Sequence, residues 1–88
     1  MKIRYSREFE KNYRKRVVGN SSLMRRYKER LARFVVNPRD PLLRDHKLVG
    51  RLSEYRAFWI TGNVRVVYKR LVEDEILIYD IGTHNQVY

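Results

Sequence analysis

The chain has 88 residues, which is enough for one compact domain with a modest hydrophobic core but too short for a second module or a large cofactor-binding fold. It contains no cysteine, which excludes a disulfide scaffold and a thiolate zinc site. Its formal net charge of +10 favours a polyanionic partner, with nucleic acid the first candidate and an acidic protein the second, because every neutralised phosphate releases condensed counterions.

The first predicted element is a short strand over residues 2–5, where polar and apolar side chains alternate. The charged side chains of Lys2 and Arg4 stand where a signal peptide would need an apolar segment. No later stretch approaches the roughly 18 apolar residues of a membrane span. We therefore expect a cytoplasmic protein without a membrane partner.

Two helices are predicted to follow this strand. Ser6 can cap the first helix, whose apolar residues recur at i, i+4 and i+8, namely Phe9, Tyr13 and Val17. Residues 19–22 have turn chemistry, and Ser21 or Ser22 can cap a second helix that ends before Pro38.

The short turn between the two helices predicts an antiparallel helical hairpin. Residues 1–36 hold 12 Lys and Arg against three Glu, a net charge of +9, whereas residues 37–88 have a net charge of only +1. The outer surface of the hairpin should therefore be strongly positive. The basic residues expected on it are Lys11, Arg14, Lys15, Arg25, Arg26, Arg30 and Arg33.

After residue 38 the pattern changes to β-rich runs over residues 55–60, 64–71 and 76–81, with separators short enough for hairpins. Three hairpin-linked strands predict an antiparallel meander with one face covered and the other open. We expect a single α+β domain of order β-α-α-β-β-β, with the N-terminal strand and the two-helix hairpin packed on one face of the antiparallel sheet. Residues 46–48 are compatible with a short additional strand or with a loop.

Alternation along the run 64–69 places Arg65, Val67 and Lys69 on one face of the sheet. A guanidinium on a rigid strand can hold a phosphate bidentately and stabilise charge that develops on it. The same pattern also fits a solvated strand arginine without a function.

His46 and His84 are the only histidines, and neither lies within an apolar stripe. RNA cleavage through its own 2′-hydroxyl needs a base, an acid and a cation for the phosphorane, which two histidines and Arg65 supply without a metal. By spacing alone, both histidines could equally be surface residues. Asp45, Glu54 and Asp80 do not combine with a histidine on one strand face, so we expect no metal site and no cofactor.

The aromatic residues divide into two groups. Four occupy core positions of the predicted strand and helices: Tyr5, Tyr13, Tyr27 and Phe34. Tyr88 is the best candidate for stacking on an RNA base, a contact worth about 1 to 3 kcal/mol, because chain ends are rarely buried. Trp59 could stack or serve as a structural residue, and we leave it out of the catalytic set.

Four stretches carry a family resemblance: residues 44–50 (RDHKLVG), 55–56 (YR), 64–68 (VRVVY) and 82–88 (GTHNQVY). Together they resemble the RelE/ParE superfamily, and most closely its YafQ-type mRNA interferase branch of type II toxin–antitoxin systems. The resemblance covers nearly the whole chain. It implies a RelE-like toxin over residues 1–88 that enters the ribosomal A site, cuts mRNA by 2′-hydroxyl attack without metal, and is neutralised by a cognate antitoxin. The implied partners are this antitoxin, mRNA, and the ribosome with its rRNA.

Position by position, the resemblance implies that His46 is the general base, Arg65 stabilises the phosphate, His84 protonates the leaving oxygen and Tyr88 stacks on or orients the substrate. Four further basic residues are assigned to RNA binding: Lys47, Arg51, Arg56 and Lys69. The chain departs from the YafQ pattern at Trp59 and Asn63, where that branch usually has His and Asp.

Two other functions fit the same fold and charge. The first is a ParE-like inhibitor of DNA gyrase that does not cut RNA, against which His46 and His84 argue. The second is a non-catalytic basic RNA-binding protein, which the N-terminal charge alone would permit.

Overall fold

The computed structural model describes residues 1–88, and the sheet and the helices follow the predicted order with two additions. The elements are β1 (Lys2–Tyr5), α1 (Arg7–Arg16), α2 (Ser21–Val36), β2 (His46–Lys47), β3 (Arg56–Trp59), β4 (Val64–Arg70), β5 (Glu75–Thr83) and α3 (His84–Val87). Single 3₁₀ turns at Pro41–Leu43 and Gly50–Leu52 precede and follow β2. The α+β class is confirmed, and the additions are β2 and α3. None of the helices combines the length and the apolar character that a membrane crossing requires.

The five strands form one mixed sheet in the order β1-β5-β4-β3-β2. Strands β2 to β5 form an antiparallel meander, as predicted from the separators. Strand β1 pairs in parallel with β5, with Ile3 opposite Ile76. The expectation that the N-terminal strand packs on a face of a wholly antiparallel sheet was wrong, because β1 completes the sheet as an edge strand.

Both helices begin at side-chain caps. The Ser6 hydroxyl accepts a hydrogen bond from the backbone N–H of Phe9 at 2.9 Å, as the sequence predicts. Helix α2 is capped by Asn20, whose Oδ1 accepts from the N–H of Leu23 at 3.0 Å, and not by either serine. Three consecutive residues there are good N-caps, so composition could not decide which one begins the helix.

The main core lies between the helices and one face of the sheet. The ring of Phe34 on α2 stacks on Phe58 at 4.8 Å and meets Tyr68 edge-on at 4.9 Å between ring centroids. Tyr27 is buried as expected. Tyr5, which was expected in the core, is 45% exposed and stacks on Phe9.

The second face of the sheet is not open, which corrects the prediction. A smaller apolar cluster of Leu48, Ala57, Val67 and Val87 covers it. The covering elements are the second 3₁₀ turn and α3, which begins at Thr83 in a capping box with Gln86. The tail after β5 therefore folds back over the face that carries Arg65.

A buried polar contact ties α1 to β5 at a β-bulge between the β4 pairings of Val67 and Tyr68. The Asp80 carboxylate accepts from Asn12 Nδ2 at 2.7 Å and lies 3.6 Å from Arg16 Nη1. One residue of the expected basic outer surface departs from it, since the side chain of Arg30 is only 14% exposed.

Candidate active site

Arg65 lies in β4 on the face covered by α3, directly opposite Trp59 of β3. Its guanidinium carbon lies 4.4 Å from the centroid of the Trp59 ring, and Nη1 donates to the Gly62 carbonyl at 3.1 Å. A guanidinium has five N–H donors, and this backbone contact uses only one of them. Arg65 is therefore held in place with donors left for an anion.

Arg44 contacts the same tryptophan, and sequence reasoning missed it. Its guanidinium carbon lies 4.7 Å from the Trp59 ring centroid. Arg44 ends the first 3₁₀ turn with a left-handed backbone at φ 48°. Because His46 pairs with Ala57, the same antiparallel register continued by two residues brings residue 44 beside residue 59. The contact between Arg44 and Trp59 could therefore have been predicted from the sequence only after β2 and its register had been predicted.

His46 lies in β2 with its side chain exposed, on the same sheet face as Arg65 because its partner Ala57 is paired in turn with Val67. Its Nδ1 lies 2.9 Å from the carbonyl oxygen of Arg44. When Nδ1 carries the proton it donates to this carbonyl, and Nε2 is free to accept a proton from a substrate. Strand spacings put the Cα atoms of His46 and Arg65 roughly 12 Å apart, so a substrate must bridge them.

His84 begins α3, and Tyr88 follows its last residue, one turn further along the chain. Their ring centroids are 4.5 Å apart and the planes meet at 87°. Burial raises the pKa of Tyr88 above its usual value, and the positive charge of Arg65 opposes this shift in part. Arg65 of β4 therefore also influences the ionisation of Tyr88 at the end of α3.

The environment of Tyr88 corrects the expectation of a free chain end. Its ring is half-buried against the second apolar cluster, and its hydroxyl oxygen is buried near the Arg65 guanidinium. The expectation rested on the rule that chain ends are rarely buried, whereas the capping box at Thr83 folds residues 84–87 into a helix that carries Tyr88 back onto the sheet.

A largely apolar cavity of about 290 Å³ lies between α3 and the second 3₁₀ turn. Its walls are formed by Leu48, Val49, Arg51, Leu52, His84 and Tyr88. An RNA base buries its faces against side chains of this kind. The cavity adjoins His84 and Tyr88, the two residues of this segment that the sequence assigned to catalysis.

The four basic residues assigned to RNA binding do not share one surface. Arg51 borders the cavity beside His84, and Lys69 lies on the Arg65 face with Nζ 5.3 Å from the Tyr55 ring centroid. Lys47 pairs with Arg56, which is opposite Tyr68, so both point to the helix side of the sheet. Arg56 Nε there donates to the Asp45 carboxylate at 2.6 Å.

Asn63 lies exposed in the turn between β3 and β4. No group of three or more His, Asp or Glu residues lies together in an arrangement that could hold a metal ion. The structure places His46, Arg65, His84 and Tyr88, the four residues that the sequence assigned to catalysis, on the sheet face that α3 covers.

The comparisons with known proteins identify the family. The model of a family described as "Bacterial toxin of type II toxin-antitoxin system, YafQ" matches residues 1–88. No curated protein sequence matches the chain significantly.

Several solved structures share the fold. YafQ from E. coli strain BL21(DE3) superposes with a TM-score of 0.77 at 23% identity, over 98% of this chain and 96% of that one. A YoeB/ParE toxin from Agrobacterium tumefaciens gives a TM-score of 0.79 at 16% identity, over 96% and 99% of the two chains. A chain of the crystal structure of the E. coli DinJ–YafQ toxin–antitoxin complex gives a TM-score of 0.73 at 22% identity, over 98% of this chain and 94% of that one.

Proposed function

Because the chain belongs to the YafQ family of bacterial toxins of type II toxin–antitoxin systems, we propose that it is a ribosome-dependent endoribonuclease that cleaves mRNA in the A site. The observation that carries the proposal is the placement of Arg65 on the face that also presents His46 and His84. A cation and two imidazoles on one face are the groups that cleavage by a neighbouring 2′-hydroxyl requires.

Arg65 binds the scissile phosphate. Attack by the 2′-oxygen places additional negative charge on the equatorial oxygens of the phosphorane. The guanidinium meets this charge with donors already oriented by Trp59 and the Gly62 carbonyl, so little reorganisation is needed in the transition state.

His46 accepts the proton of the 2′-hydroxyl. The contact of Nδ1 with the Arg44 carbonyl fixes the tautomer that leaves Nε2 basic. The new bond joins the 2′-oxygen to phosphorus, and the bond from phosphorus to the 5′-oxygen breaks. The products are a 2′,3′-cyclic phosphate and a 5′-hydroxyl, with no co-reactant consumed.

His84 donates a proton to the departing 5′-oxygen. The edge-on contact with Tyr88 restricts the imidazole to one side of α3. The apolar cavity beside both residues receives a base next to the cleaved bond, and Arg51 at its border contacts the backbone. Lys69 adds positive charge on the same face.

The wider partners follow from family and charge. The chain acts in the cytoplasm as a single domain over residues 1–88, its basic helices bind rRNA, and a cognate antitoxin neutralises it. The E. coli YafQ structure in complex with DinJ supports the antitoxin partner by analogy.

The test is cleavage of a defined mRNA programmed into ribosomes, with EDTA present. We expect cuts by the wild type and a loss of at least about 100-fold in His84→Ala and Arg65→Gln, in line with typical contributions of general acids and charge stabilisers. Asn85→Ala, in the same helix as His84, and Arg4→Gln at the β1 edge, with the same change of charge as Arg65→Gln, are the matched controls. Full cleavage by His84→Ala and Arg65→Gln would reject the assignment, and intact mRNA with inhibited gyrase supercoiling would favour the ParE-like function.

A further inference from the structure

A second cavity lies on the other side of the sheet edge from the candidate active site. It has a volume of about 440 Å³ and is formed by the loop after α2 and the ends of β3 and β4. Four arginines and two aspartates border it: Arg39, Arg44, Arg56, Arg70, Asp40 and Asp45.

The two aspartates already have partners. The Asp45 carboxylate accepts from Arg56 Nε at 2.6 Å through one oxygen and from the Tyr68 hydroxyl through the other. Asp40 accepts from the N–H of Leu42 at 3.0 Å, and its second oxygen lies 3.2 Å from Arg33 Nη1. Neither carboxylate is left to neutralise the other arginines.

The arginines are not matched in this way. Arg39 and Arg70 are exposed and form no ion pair, while Arg44 is turned toward the Trp59 ring. Arg56 is anchored to Asp45 through Nε, and a guanidinium has further N–H donors that this contact does not use. The cavity therefore has an excess of N–H donors and positive charge, which an anion would balance.

We propose that this cavity binds a phosphodiester of the RNA backbone, as a second RNA contact distinct from the candidate active site. RNA fits better than an acidic protein segment, because Tyr68 is fully buried and the walls offer little apolar surface to anchor a peptide. Guanidinium groups also match the planar, bidentate recognition of phosphate.

The position of the cavity supports the same occupant. Asp45 and His46 are consecutive, with Asp45 at the cavity and His46 on the candidate active-site face. An RNA strand that passes the β2 edge can therefore reach both sides. The inference rests on the proposed function in that its RNA is the one presented by the ribosome.

The experiment measures binding and not cleavage, in a His84→Ala background so that the RNA stays intact. The double variant Arg39→Gln/Arg70→Gln is compared with Lys2→Gln/Arg4→Gln, which removes the same charge from the opposite edge, at β1. Affinity for a single-stranded RNA oligonucleotide and for ribosomes is titrated against salt, and thermal unfolding checks that both variants fold. The two probes separate mRNA from rRNA as the source of the phosphate.

We expect the cavity variant alone to bind RNA roughly 10-fold more weakly, and its salt slope to fall by about 0.7 to 0.9 for each phosphate that it no longer neutralises. An equal decrease in the control variant would overturn the proposal, because it would reflect net charge. Unchanged RNA binding with weakened antitoxin binding would also overturn it. Wild-type protein that binds RNA at the cavity without cutting mRNA would instead refute the proposed function.

Discussion

Replacing Trp59 by leucine should slow cleavage by displacing Arg65. The guanidinium lies over the ring at 4.4 Å, and Trp59 is half-buried. A cation–π contact is worth about 0.5 to 1 kcal/mol when exposed and about 2 kcal/mol when desolvated, so we take about 1 kcal/mol. That energy corresponds to a decrease of about 5-fold in rate if the held conformation is the competent one. Trp59→Phe keeps an aromatic face and should slow cleavage by about 2-fold or less.

The assay is single-turnover cleavage on programmed ribosomes at saturating protein, with thermal unfolding as the control for folding. A second readout uses the fact that Trp59 is the only tryptophan, so Arg65→Gln should change its fluorescence. In the Arg65→Gln background, Trp59→Leu should cause no further decrease in rate, because the two residues act as a unit. Equal rates for Trp59→Leu and wild type, or additive effects in the double variant, would refute the reasoning.

Three further predictions concern the scaffold. Asp80→Ala should destabilise the fold by about 3 kcal/mol in urea unfolding, because the buried amide of Asn12 loses its acceptor; a change below about 1 kcal/mol would contradict this. Burial raises the pKa of Tyr27 and Tyr68 in the folded protein. The free energy of unfolding should therefore be retained below about pH 10 and should fall above it by up to about 1.4 kcal/mol per pH unit for each tyrosine. A urea midpoint that stays constant from about pH 9 to 11 would contradict this. Gly82→Ala places a Cβ 2.6 Å from Nη1 of Arg16 in α1 and 2.7 Å from Oε1 of Gln86, the amide oxygen that caps α3. Cleavage should therefore fall several-fold with little change in Tm. Unchanged cleavage would show that α3 tolerates the shift.

The parts of the fold that the sequence predicted are those set by local pattern. The cap at Ser6, the end of α2 before Pro38 and the three meander strands follow from side-chain period and turn chemistry. The parallel pairing of β1 with β5 joins residues more than seventy positions apart, and it cannot be recognised from the alternation of polar and apolar residues within either strand. Helix α3 was missed because four residues are too few to show a helical period, although Thr83 and Gln86 have capping-box spacing.

The placement of the candidate-site residues on the sheet was likewise predicted correctly where local pattern was sufficient, and it was missed where strand register was needed. Strand alternation placed Arg65 and Lys69 on one face, and the structure agrees. The same reasoning could not show that Lys47 and Arg56 face the other side, because the register of β2 had not been assigned. Arg44 also required this register, and its contact with Trp59 depends in addition on a left-handed backbone that arginine adopts only rarely.

Strand β2 shows why residues distant in sequence decide the geometry of the site. Two residues are too few for a stable strand by themselves, so β2 depends on the residues that flank it. On one side the Asp45 carboxylate is held by Arg56 and the Tyr68 hydroxyl, and on the other Leu48 is buried in the second cluster and donates its N–H to the Tyr55 carbonyl at 3.0 Å. These two anchors fix His46 on one face of the sheet and the arginine-bordered cavity of about 440 Å³ on the other. Because the anchoring partners come from β3, β4 and the segment between β2 and β3, local pattern around residue 46 identifies a histidine but cannot place it.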